Sequence, residues 1–146
     1  MSAAEMPMGL SLVVCDQIIE DKLTGKKTLV GLFSRISASS LPCVHPMMSV
    51  FVSLTGGRGR YPCEVLCRHS DGDSVVFSAK GNIALRDPQQ VVDLAFRLNG
   101  VRFPREGLYW VTFVVDEVPL MMRPLTLALR KPPAAGEDDG TPADSE

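Results

Sequence analysis

The chain has 146 residues, 45% of them hydrophobic, which fits one domain around a single core and excludes wholesale disorder. A formal net charge of −2 gives no global attraction to nucleic acid or to an anionic membrane. No segment approaches the ~20 continuous apolar residues of a spanning helix, and the opening MSAAEMPMGLSLVVC lacks a basic n-region, so a cytoplasmic protein with four reduced cysteines is expected.

In chain order, apolar residues recur at spacing two, with β-branched and aromatic residues dense among them. This predicts strands at 9–15, 26–34, 47–55, 61–69, 74–85, 91–98, 107–115, 118–122 and 125–130. KLTGKK offers Thr24-Gly25 as a tight turn between the first two. LTGGRGRYP (54–62) raises the question of a phosphate cradle. It lacks the Lys-Ser/Thr of a P-loop, and a strand rather than a helix follows, so it reads as a hairpin kept wet by Arg58 and Arg60. HSDGDS turns at Asp71-Gly72. DPQQVVDLA is the single helix candidate, capped by Asp87, but a strand from about Val91 is the favoured reading. VVDEVP turns at Asp116-Glu117, and Pro119 then suits an edge position. Beyond Lys131 the chain becomes Gly-, Pro- and acid-rich. Residues 1–8 are expected to be a flexible N-terminus, 9–131 the domain and 132–146 a disordered acidic tail. Without the five tail acids the body carries 15 basic against 12 acidic groups.

Alternation assigns faces. Val92, Leu94, Phe96 and Leu98 share one side of their strand, and Leu125, Leu127 and Leu129 share one side of theirs. GLYWVTFVV is apolar on both faces, and SVFVSL sets Phe51 between two serines on its polar side. Strands of this kind must pack as two layers, which gives an all-β, immunoglobulin-like antiparallel β-sandwich of seven to nine strands. The ending PREGLYWVTFVVDEVPLMMRPLTLAL is similar to that of immunoglobulin-like and filamin-like sandwiches, where a corner tyrosine bonds back to the chain; Tyr109 would take that role. Three stretches together, LVVCDQIIEDKLTGKKTLVGLFSRI, PCVHPMMSVFVSLTGGRGRYP and FPREGLYWVTFVVD, resemble a family of small bacterial proteins, a domain of unknown function. The resemblance spans residues 9 to 130 and implies a β-sandwich without assigned chemistry.

Candidate chemistry is sparse. Cys63, Cys67 and His69 share one face of a strand, but two-residue steps are about 6.8 Å apart, too wide for neighbours on a straight strand to share one zinc. Cys67 and His69 could also form a thiol–imidazole pair, although no oxyanion loop accompanies them. His45, before Pro46, is expected in a loop. Arg58, Arg60, Tyr61, Arg68 and Arg35 are the best group for an anionic partner, with Arg58 and Arg60 as its contacts, yet aromatic residues make up only 6% of the chain and the tail is acidic, so nucleic acid is not the expected partner. No cofactor, metal or catalytic residue is expected. If Phe51, Trp110 and Val114 point outward on one sheet, they form a contact patch, extended by the pliable Met121 and Met122. The expected function is non-catalytic binding, to an unknown protein or to a second copy. The alternatives are a metal- or thiol-dependent enzyme at Cys63, Cys67 and His69, and an anionic-ligand binder at Arg58 and Arg60.

Overall fold

Strands that alternate apolar and polar side chains satisfy their backbones by lateral pairing and their apolar faces by stacking a second layer. A computed structural model, which describes residues 5–72 and 74–130, shows both. Its strands are β1 (Met8–Glu20), β2 (Lys27–Leu32), β3 (Arg35–Ala38), β4 (Cys43–Thr55), β5 (Gly59–His69), β6 (Val75–Leu85), β7 (Val92–Phe103), β8 (Gly107–Val115) and β9 (Val118–Leu129). One sheet has the order β2-β1-β4-β7, the other β3-β9-β8-β5-β6. The chain is an all-β two-sheet sandwich, and among the described residues there is no helix. The tail at 132–146, and residues 1–4 of the N-terminal segment, lie outside the described residues.

The core lies between the sheets. Val14, Met48, Val50, Val52 and Leu54 come from the four-stranded sheet. They meet Val65, Cys67, Tyr109, Val111, Phe113, Leu125 and Leu127 of the five-stranded sheet. Full burial of each large apolar side chain stabilises the fold by about 1.5–3 kcal/mol. Tyr109 closes one end: its hydroxyl donates to the Arg105 carbonyl at 2.5 Å, the corner contact its sequence context suggests. The Asp116-Glu117 turn joins β8 to β9 in two residues, with φ of 50° and 68°, the left-handed pair that matches the twist of a hairpin.

Several elements depart from expectation. β3 is an additional four-residue strand that pairs parallel with β9, so the sandwich is not wholly antiparallel. Segments 118–122 and 125–130 are one strand, β9, which passes through Pro124 because β3 pairs only with Thr126 onward and leaves the earlier stretch unladdered on that side. The LTGGRGRYP segment is not a hairpin: β4 and β5 belong to different sheets, and the loop is an arch over one end of the sandwich. Residues 5–8 are anchored beneath that arch, with Pro7 buried and the Glu5 carbonyl 2.7 Å from the Tyr61 hydroxyl. Asp87 caps a single turn, its carboxylate accepting from the Gln89 amide at 2.8 Å, before β7 begins at Val92.

Candidate functional site

β8 is apolar on both faces because it lies in the middle of its sheet, between β9 and β5. Tyr109, Val111, Phe113 and Val115 point inward and are fully buried, while Trp110 and Val114 are half-buried on the outside. Register aligns three rows across the outer face. Arg68, Trp110 and Pro124 form one; Leu66, Thr112 and Met122 form the second; Glu64, Val114 and Pro119 form the third. Trp110, Leu66, Val114, Pro119 and Met122 bound a shallow depression of about 310 Å³ with Arg68 at its rim. Met122 is 56% exposed, so a mobile apolar chain stands at the edge of an apolar hollow.

The five residues expected to form one patch do not all meet there. Trp110, Val114 and Met122 converge. Phe51 sits on the opposite side of the molecule, on the outer face of the four-stranded sheet, where its neighbours are Val13 and Ala95. Met121 opposes Phe113 and packs inward on the core; a Cβ built on Gly9 would lie 2.6 Å from its sulfur. Leu66, Pro119 and the flanking Arg68 and Glu64 went unnoticed in the sequence reading of this patch. Glu64, Leu66 and Arg68 stand at spacing two on β5, which was the available signal, while Pro119 lies on β9.

Cys63, Cys67 and His69 do share the inward face of β5, but each is committed to structure. Burial drives the Cys67 thiol up to about 12 and raises that of Cys63, holding both in the protonated, weakly nucleophilic form. The Asp71 amide donates to His69 Nδ1 at 3.0 Å, which places the ring proton on Nε2, 3.0 Å from the Glu106 carbonyl that accepts it. Both ring nitrogens are thus occupied by backbone partners. The Tyr109 ring meets His69 edge-on at 4.9 Å. Among the described residues, no group of three His, Cys, Asp or Glu stands together as a metal-ligand set.

Arg58 and Arg60 are exposed on the arch. Two of the amides an anion could use there are already engaged. That of Gly56 donates to the Pro88 carbonyl at 3.0 Å and that of Arg58 to the Tyr61 hydroxyl at 2.9 Å.

A second hollow of about 590 Å³ opens at one end of the sandwich, where Asp16, Phe33, Arg35, Ser37, Cys43 and His45 meet. His45 lies on β4 opposite Val101 rather than in a loop. Its ring is 5.5 Å from that of Phe33; burial lowers its basicity, and the Asp16 carboxylate opposes that effect. Asp16 and Ser37 carried no sequence signal as site residues, since they come to the β4 start from β1 and β3; Arg35 counted in the sequence only among the basic residues weighed for an anionic partner.

Comparison with known proteins places the chain by family. The model of a family of unknown function, DUF6941, matches residues 10–128. No curated protein matches. Among solved structures, the C-terminal domain of wzt aligns over 96% of this chain and 84% of its own, at 13% identity and a TM-score of 0.49, too distant a likeness to argue from.

Proposed function

Since the chain belongs to DUF6941, a family of unknown function whose membership assigns no chemistry, we propose from its surface that it is a non-catalytic binding module. Its contact surface is the outer face of the five-stranded sheet. The observation that carries this reading is the half-buried Trp110 beside an apolar hollow, with Leu66, Val114 and Met122 around it and charge only at the edges. Tryptophan in such a setting offers a large apolar area at small entropic cost, which is why interface anchors favour it. The thiol–imidazole alternative has less support, because Cys63 and Cys67 are protonated core residues and both His69 nitrogens are bonded.

The test uses immobilised full-length protein to capture partners from native lysate, with Trp110→Ser and Phe51→Ser compared against the original chain. The Phe51 variant should retain what the original retains, and the Trp110 variant should lose it. Equal capture by all three would contradict the assignment of this face.

A further inference from the structure

We propose that the occupant of the Trp110 face is a second copy of this chain, docked sheet against sheet about a twofold axis along the Leu66–Thr112–Met122 row. This rests on the binding-surface reading above and names its partner. A twofold axis lying in an interface brings residues above it onto those an equal distance below it in the other copy. The outer face has this symmetry of spacing. On β5, Arg68 and Glu64 stand two residues either side of Leu66. On β8, Trp110 and Val114 stand two residues either side of Thr112. Arg68 of one copy therefore meets Glu64 of the other, twice over, while Trp110 meets Val114.

The charges are opposite and flank an apolar centre, the pattern of a self-complementary contact with a polar rim. Arg68 has no carboxylate partner among the described residues. Glu64 accepts a hydrogen bond from the Ser78 hydroxyl on one oxygen and stands across from Lys80. Its other oxygen has no hydrogen-bond partner among the described residues and can receive the incoming guanidinium. The acidic segment 134–146 fits this face less well. Glu64 opposes it, and AAGEDDGTPADSE holds no aromatic or large aliphatic residue to fill the hollow.

Sedimentation equilibrium of the full chain from low micromolar to millimolar concentration tests the proposal. The weight-average mass should climb from 15.9 kDa toward twice that value. Arg68→Glu and Glu64→Arg should each raise the dimer Kd by about tenfold or more, because like charges then oppose each other at both symmetric positions. The double exchange should return the Kd close to its original value. A mass fixed at 15.9 kDa, or a double exchange as weak as the single ones, would overturn the second copy as occupant. If the original chain stays monomeric while Trp110→Ser still loses a captured protein, only the occupant fails. If Trp110→Ser loses nothing either, the surface reading fails with it.

Discussion

Burial drives the Cys67 thiol from an ordinary 9.0 up to about 12, and the side chain is fully enclosed. Ellman-type labelling of the native protein should therefore modify half-buried Cys43 first, leaving Cys15, Cys63 and Cys67 to react only on unfolding. The same burial links stability to pH. A thiol whose folded value is raised keeps its proton after the unfolded chain has lost it, so its contribution is present below 9 and drains away as pH climbs toward 12. Cys15, Cys63 and Tyr109 shift in the same direction and steepen the loss. Urea midpoints measured into alkali should fall, and Cys67→Val should flatten the slope. At the acid end His45 acts in the opposite sense. Its folded value is lowered by burial, so stability declines as pH falls through 6.5, and His45→Gln should remove that part of the decline. Tyr109→Phe deletes the hydroxyl that donates to Arg105 and should cost about 1 kcal/mol in denaturant titration.

Backbone conformation decides the next set of effects. Asp116 and Glu117 both hold positive φ, which glycine adopts without the penalty other residues incur. Glu117→Gly should raise stability by about 0.5–1 kcal/mol, read as a shift in the urea midpoint with m unchanged. Gly107 has the reverse constraint. Its φ is +127°, and a Cβ there would lie 2.6 Å from His69 Nε2, so Gly107→Ala should destabilise by more than about 1 kcal/mol.

Much of this level was legible in the sequence. The two-residue turn at Asp116-Glu117 and the alternation in QVVDLAFRL both follow from local geometry. Which sheet a strand joins does not. Turn chemistry in LTGGRGRYP looks the same for a hairpin and for an arch, because glycine supplies positive φ to either, as at Gly56 and Gly59. Phe51 and Trp110 were both readable as outward-facing, yet lateral pairing puts them on opposite sides of the molecule. Met121 and Met122 are adjacent on a strand and so must point opposite ways, a constraint that already allowed only one of them on the patch. β3 escaped notice because RISA is four residues long, and its parallel ladder with β9 is set by a distant segment.

At the scale of the whole molecule, the sandwich buries three of its four thiols in the interior and sets its one tryptophan on the outer face. The inner faces account for stability: Tyr109, Phe103 and Phe113 are each fully buried. The outer face of the five-stranded sheet carries the Leu66–Thr112–Met122 row between Arg68 and Glu64, a layout that closes on itself under twofold rotation. Self-association through it buries Trp110, and no other tryptophan exists to dilute that signal. The most direct measurement is Trp110 emission and its acrylamide quenching across a dilution series. Emission that moves to the red with easier quenching on dilution is the predicted result; a wavelength and quenching constant fixed from millimolar to nanomolar would contradict it.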